Sequence, residues 1–475
     1  MLDVLRKLSK KKVVQNFSYL TISSVFSQLI SLLTVVKISR IFAPEEYGIY
    51  TFIFAQSQLI NVVGDLGMRK IIIRAISRDI SRTNDLIYNG LKLRVLASIF
   101  LIFIYLTYNY FLGSLNNVQI SILFLFSITG IFSNLFENAF LGQQKMLLPS
   151  LFNMGFSILW AIIIFTLPSV YFSVIILLSI QLVNGAAKSG ILYTIMLKQR
   201  ILVGQVNNFF TSSKVILKES WPYFLLFLVM LPTVYLTNNF LDINSTKAEI
   251  GYFNLSQKLM GPVSLVISIA LTAIFPNFSS LWVNDEKKFY QIISVGFKYF
   301  LLFAAFLCFL FTLFSREVVL LLFTESYLPA IKVCQLQVWY IFLMGVNSLI
   351  GTIWGATNKE KLILKTAVVN AILSTPILYF GSYYGALGLS YGYVISFAIF
   401  EIYIWRVFIK SEKIVINDDW ILWIIAILLF FTSYYFPVNI SIVYRLFTAA
   451  IILTLFSLYV YAKYKSVTIS TVEAK

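Results

Sequence analysis

The chain has 475 residues, 59% of them hydrophobic and 12% charged, with a formal net charge of +17. A soluble domain is about 45–50% apolar and about 25% charged, so a mean hydropathy of +0.85 excludes a single water-soluble core, whereas roughly 14 spans of about 20 residues would absorb the apolar content. The absence of His removes His bases, His triads and His metal ligands, and Cys308 and Cys334, both inside apolar runs, provide neither a disulfide framework nor a metal site.

Ten-residue strand alternation is missing, so the class is all-α integral membrane rather than outer-membrane barrel. Apolar runs in chain order predict helices near 14–36, 45–66, 92–112, 118–141, 149–167, 170–195, 221–241, 250–278, 290–314, 329–354, 362–380, 385–408, 420–436 and 441–461. Lipid offers the backbone no hydrogen bonds, which forces each run to be helical. The first run follows Arg6, Lys7, Lys10, Lys11 and Lys12 but has a long core and no small-residue cleavage site. It reads as a retained first helix rather than a signal peptide.

The basic residues sit at the ends of these runs, a topology signal that argues against nucleic acid as a partner. With the N-terminus inside, 29 of the 37 Lys and Arg fall on inner segments and 6 on outer ones. The expectation is a bacterial cytoplasmic membrane protein with both termini cytoplasmic. No loop is long enough for a soluble catalytic domain. The basic loop with Arg69, Lys70, Arg74, Arg78 and Arg82 suits contact with anionic membrane lipids.

The chain repeats weakly at an offset of about 203–217 residues. Glu46-Tyr47-Gly48-Ile49-Tyr50 opens the second span and Glu249-Ile250-Gly251-Tyr252-Phe253 the eighth. Gly90 pairs with Gly296, Gly142 with Gly355, and Asn153 with Asn370 in the same order. Six spans per unit make the two units parallel. The expected organisation is a six-helix bundle over 1–205, a second over 206–412, and an extra helix pair with a tail over 413–475, the bundles enclosing a central cavity.

Polar residues recur at helical spacing within the spans. The first span has Ser27, Ser31, Thr34 and Lys37, with Arg40 a turn further on; the second has Gln58, Asn61 and Asp65. The fourth has Ser127, Asn134, Glu137 and Asn138, and the sixth Gln181, Asn184 and Lys188. The eighth has Gln257, Gly261, Ser264 and Ser268, with Asn254 and Lys258 beside them. Such residues either bond helices together or line a hydrated cavity. Lys188 and Lys258 lie too deep to snorkel easily and favour a cavity role, while Lys37 and Arg40 are near enough to the outer surface to reach it. Among the acidic residues, Asp65, Glu137 and Glu401 are candidates for ion coupling. Glu137 either pairs with a cation such as Lys188 or binds a proton or Na⁺. No nucleotide-binding signature occurs, so uphill work would come from an ion gradient, a partner ATPase or a downstream reaction.

The stretch Arg40-Ile41-Phe42-Ala43-Pro44-Glu45-Glu46-Tyr47-Gly48-Ile49-Tyr50 resembles the N-terminal signature of bacterial oligosaccharide flippases. Asp65-Leu66-Gly67 before basic residues, and Leu141-Gly142-Gln143-Gln144-Lys145 after the fourth span, are similar to that family as well. The family is the Wzx-type, polysaccharide-biosynthesis branch of the multidrug/oligosaccharidyl-lipid/polysaccharide exporter superfamily. The resemblance implies a MATE-like fold and translocation of polyprenyl-pyrophosphate-linked oligosaccharide for O-antigen, capsule or a related surface glycan. It also implies cationic cavity residues, with Lys37, Arg40, Lys188 and Lys258 the matching candidates, no resident cofactor, and work alongside a glycan polymerase and chain-length machinery.

Three other readings compete. A cation-coupled drug or small-solute exporter of the same superfamily would favour acidic cavity residues, and here the embedded set is at least as basic as acidic. A membrane glycan polymerase or ligase would present a large outer loop, absent here. A purely structural partner of a glycan-assembly complex would not need embedded charges. The expectation is therefore a flippase and not an enzyme.

Overall fold

The structure, a computed structural model, describes residues 2–113, 115–412, 419–436 and 441–454. These residues are helical throughout their ordered elements, with short turns between. The first bundle comprises α1 (Leu2–Ser39), α2 (Pro44–Gly64), α3 (Met68–Arg78), α4 (Thr83–Phe111), α5 (Asn117–Gly142), α6 (Leu147–Thr166) and α7 (Val174–Lys198). The second comprises α8 (Phe209–Val234), α9 (Thr237–Asn244), α10 (Lys247–Asn284), α11 (Glu286–Leu322), α12 (Ala330–Ala356), α13 (Glu360–Ser382) and α14 (Gly385–Glu412). Two shorter apolar helices follow, α15 (Asp419–Tyr434) and α16 (Ile442–Thr454).

Each of the fourteen expected spans overlaps helix, with 221–241 taking in both α8 and α9, but eleven of them are long and apolar enough to cross a membrane among the described residues. The chain is thus a multi-pass membrane protein. The remaining three are α2, diluted by its polar residues, and the short α15 and α16; the end of the last expected span and the 462–475 tail lie outside the described residues.

Local chemistry sets the helix ends. Pro44 starts α2, and the Glu46 carboxylate accepts from the N–H of Ala43 at 3.2 Å, satisfying an otherwise orphaned donor. Asn116 and Gln119 form a reciprocal cap on α5, and Ser173 and Thr246 cap α7 and α10. The Asp65-Leu66-Gly67 motif turns α2 into α3. Gly67 has φ of +72°, and a Cβ there would lie 2.8 Å from the backbone of Phe224, so the turn needs glycine both for its hand and for its approach to α8. In the Gly142-Gln143-Gln144 motif, Gln143 donates to the Ile201 carbonyl at 2.9 Å, tying the end of α5 to the end of α7. On amphipathic α3, Met68, Ile71, Ile72 and Ile76 are buried, while Arg69, Lys70, Arg74 and Arg78 face outward.

Helices pack mainly within each bundle: α1 on α6 and α5 on α7 in the first, α10 on α12 and α13 on α14 in the second. The main contact across is α2 on α10, and it turns on the repeated motif. A Cβ on Gly48 would sit 1.8 Å from the Lys247 carbonyl oxygen, and one on Gly251 would sit 2.3 Å from that of Pro44. The two repeat-related glycines therefore meet at the starts of their helices, backbone on backbone. One and two turns on, Asn254 donates to Thr51 at 3.2 Å, and Gln56 and Asn239 exchange two hydrogen bonds at 2.9 and 3.2 Å.

Gly48→Ala should separate α2 from α10 and lower the thermal midpoint of the detergent-purified protein by several degrees. Gly190→Ala, at a helical site with open space around it, should leave the midpoint unchanged or raise it slightly. Equal midpoints for the two variants would contradict the crossing.

Candidate functional site: a polar cavity between the bundles

Beyond the glycine crossing, the same two helices line a cavity of about 590 Å³. Its walls come from both bundles. α1 supplies Ser27, Gln28 and Ser31; α2 supplies Thr51 and Gln58. The end of α8 and the start of α9 supply Tyr235 and Asn238, and α10 supplies Asn254, Gln257, Lys258 and Gly261. Two smaller cavities adjoin it along α10: one shares Gln257 and Gly261 and adds Ser264, Tyr340 and Tyr393, and the next shares Ser264 and adds Ser268. The eighth-span stripe Gln257, Gly261, Ser264, Ser268 thus lines a path of three adjoining cavities, the second and third of which also carry apolar walls such as Met260, Met344 and Leu271.

Lys258 is the sole charged residue along this path among the described residues. It is accessible within the cavity and has no hydrogen-bond or ion-pair partner among the described residues. Gln58 and Gln257 also line the cavity with unoccupied amides, whereas Asn254 is held by Thr51 and by Asn238 at 2.7 Å.

Other sequence candidates lie elsewhere. Lys188 is bound to Glu137 at 2.6 Å and to Asn153 at 2.6 Å, an ion pair joining α7, α5 and α6. Of the two readings open for Glu137, the structure shows the pair. Arg40 donates to the carbonyls of Leu321 and Leu322 at 2.6 and 2.9 Å, closing the last turn of α11. Lys37 is half-buried and does not line the cavity. Asp65 is paired with Arg94 and accepts from the Arg69 N–H.

Among the amides, Asn61 packs against Gly130 of α5, Gln181 donates to the Tyr50 hydroxyl at 2.8 Å, and Asn184 reaches the Phe156 carbonyl at 3.5 Å. The last two bond helices within the first bundle. Asn134 is exposed on α5, away from the cavity. Glu401 is buried with neither carboxyl oxygen bonded, beside a pocket of about 560 Å³ walled by Trp339, Trp405 and Trp423 and also lined by Arg406. No cluster of three or more acidic or sulfur ligands that could hold a metal occurs among the described residues.

The sequence reasoning missed Gln28, Thr51, Tyr235 and Asn238. Thr51, seven residues before Gln58 on α2, was findable as an extension of the Gln58 stripe; Tyr235 and Asn238 flank a helix break that hydropathy conceals. Outside the spans, the Tyr327 hydroxyl donates to the Phe42 carbonyl at 3.1 Å, near the glycine crossing. Burial, then the neighbouring Tyr252 and Glu46, push the phenol well above its ordinary value, so this bond persists through physiological pH.

A family model described as polysaccharide biosynthesis protein matches residues 13–282, more than half of the chain. The chain belongs to that family. No curated protein sequence matches it significantly.

The fold of this polysaccharide biosynthesis protein is shared by transporters of the MOP superfamily. A structure of the lipid II flippase MurJ in an inward closed conformation is similar with a TM-score of 0.73 at 15% identity, covering 93% of this chain and 98% of that one. An inward-facing multidrug resistance MATE family transporter is similar with a TM-score of 0.63 at 13% identity, covering 82% and 95%. A Vibrio cholerae MATE transporter follows at 0.56 and 15%, covering 85% and 97%.

Lys188→Met should leave Glu137 charged and unpaired, costing on the order of 3 kcal/mol in a denaturation assay. The double variant Lys188→Met with Glu137→Leu should recover most of it. A fully additive double variant would mean that the pair is not coupled.

Proposed function

We propose that this protein translocates polyprenyl-pyrophosphate-linked oligosaccharide repeat units across the bacterial cytoplasmic membrane, supplying O-antigen, capsule or exopolysaccharide assembly. The observation that carries this reading is the inter-bundle cavity in which Lys258 stands unpaired among carboxamides. A pyrophosphate is multiply anionic and cannot cross hydrocarbon unaided. Lys258 would hold it by charge-assisted hydrogen bonds, the amides would bind the sugars, and the prenyl tail would remain in lipid.

The basic-residue bias supports cytoplasmic termini, which would put the starts of α2 and α10 on the outer side. The glycine crossing then closes the outer end of the cavity, and the bundles over 1–205 and 206–412 rock about it in alternating access. Within the proposed 413–475 segment, α15 packs on α11 of the second bundle. Translocation is binding and movement, so the protein acts as a transporter and not as an enzyme. The glycan polymerase and chain-length machinery would take up the product.

We further propose that the transport cycle is coupled to H⁺ at Glu401. Asp65 and Glu137 have cationic partners, whereas Glu401 forms no ion pair among the described residues, and the pocket beside it, lined by apolar side chains and Arg406, offers no further oxygen ligands for Na⁺.

A strain lacking the protein should accumulate complete lipid-linked repeat units on the cytoplasmic leaflet and lose its surface glycan. Lys258→Gln, expressed at normal levels, should restore about a tenth or less of the glycan restored by the wild-type gene, the scale of a lost charged hydrogen bond. Normal surface glycan in the deletion strain would refute the translocation reading. In proteoliposomes, Glu401→Gln should remove the stimulation of transport by an imposed pH gradient while leaving equilibrium binding intact; unchanged stimulation would refute the coupling role.

A further inference from the structure

We propose that the glycan this cavity accepts is uncharged: neutral or N-acetylated sugars on the pyrophosphate rather than uronates or other acidic sugars. The inference rests on the translocation reading and narrows its substrate class.

The charge inventory is the first ground. Along the three adjoining cavities there is one cation, Lys258, and no carboxylate among the described residues. The other embedded cations do not line these cavities: Lys37 and Arg406 lie outside them, and three more are engaged elsewhere. Lys188 is neutralised by Glu137 at 2.6 Å, Arg94 is paired with Asp65, and Arg40 is engaged by two carbonyls at the end of α11. A pyrophosphate head already brings more negative charge than Lys258 balances. A sugar carboxylate would enter the same protein-walled space with nothing to pair with, and an unpaired charge removed from water is strongly disfavoured.

The hydrogen-bonding inventory is the second ground. Gln28, Gln58 and Gln257 line the main cavity from three different helices, and none has a partner in the protein among the described residues. Each offers two N–H donors and one acceptor oxygen. Sugar hydroxyls, which donate and accept at once, and N-acetyl groups match that mixed capacity; a carboxylate, which only accepts, leaves the amide oxygens unsatisfied. Asn238 and Asn254 already bond to each other and so hold the wall rather than compete. In the adjoining cavity, the buried Tyr393 donates its hydroxyl to the Thr233 carbonyl at 2.6 Å and packs against Phe253 and Tyr340, so it too holds the wall. The amides can reward a neutral glycan without any desolvated charge, and the single lysine is left to the phosphate.

The test compares two ligands on the full-length protein in lipid nanodiscs: polyprenyl-pyrophosphate glucose and polyprenyl-pyrophosphate glucuronate, which differ only in oxidation at the sixth carbon. The glucose lipid should bind at least about tenfold more tightly at neutral pH. Gln257→Lys, which adds a second cation to the path, should narrow or reverse that ratio, and Gln58→Lys supplies the same test from α2 should the first variant fail to fold. Equal affinities, tighter glucuronate binding, or a ratio unmoved by the added lysine would overturn the proposal. Saturable binding of neither lipid would overturn the translocation reading itself.

Discussion

The backbone crossing of α2 and α10 is the constraint on which the rest of the structure depends. Between helices in lipid the hydrophobic effect supplies no net attraction, so association relies on close packing and interhelical hydrogen bonds. Gly48 and Gly251 permit a contact in which even a methyl group would lie 1.8 Å from a carbonyl oxygen. That contact brings Thr51 within 3.2 Å of Asn254 and Gln56 within 2.9 Å of Asn239. Further along, where the same two helices present Gln58, Gln257 and Lys258, the space between them opens into the cavity. Closure at one end and opening beyond it are two consequences of a single crossing.

The character of the cavity follows from how the embedded charges are distributed. Asp65 pairs with Arg94, Glu137 with Lys188, Asp242 with Lys247, and Glu317 with Arg445. Each pair joins or braces helices, and each removes a charge from the set that could meet a substrate. Of the cations without a partner among the described residues, Lys258 is the one that lines the polar cavity. The cavity is cationic because one lysine lacks a partner, and counting basic residues in the spans overstates that character several-fold. Glu401 is the acidic counterpart, a carboxyl with no partner among the described residues, housed in the second bundle away from the polar path.

Much of this was legible in the sequence for physical reasons. Lipid forces every apolar run to be helical, so the order of helices could be read directly from hydropathy. The Glu46–Tyr50 and Glu249–Phe253 motifs pointed to a repeat, but not to the crossing at which close packing restricts both sites to glycine. The Gln257, Gly261, Ser264, Ser268 stripe pointed to the polar path because a helix repeats its face every three or four residues. Periodicity, however, reports which face a residue occupies and not what stands opposite. The stripe Gln181, Asn184, Lys188 has the same spacing, yet it faces Tyr50, the Phe156 carbonyl and Glu137 within the first bundle. Arg40 likewise reads as a surface cation until the end of α11, some 280 residues later in the chain, is placed beside it.

The least legible part of the site is the break between α8 and α9, and it shows why a membrane cavity is hard to read from apolar content. Hydropathy registers 221–241 as one span, and Pro222 and Pro232 remain inside α8 without ending it. The helix ends instead at Tyr235, where the Leu236 N–H reaches back to the Leu231 carbonyl at 3.2 Å, and restarts at Thr237. Irregular backbone at membrane depth is tolerated where it borders protein or a hydrated space. Here it borders both, because Asn239 bonds to Gln56 across the bundle contact while Tyr235 and Asn238 line the cavity. The redirected chain brings a carboxamide within 2.7 Å of Asn254, which an unbroken helix from α8 would not be set up to do. The break therefore belongs to the construction of the site, supplied by the second bundle opposite α1 and α2, and the cavity exists as a polar space because one helix gives up its continuity there.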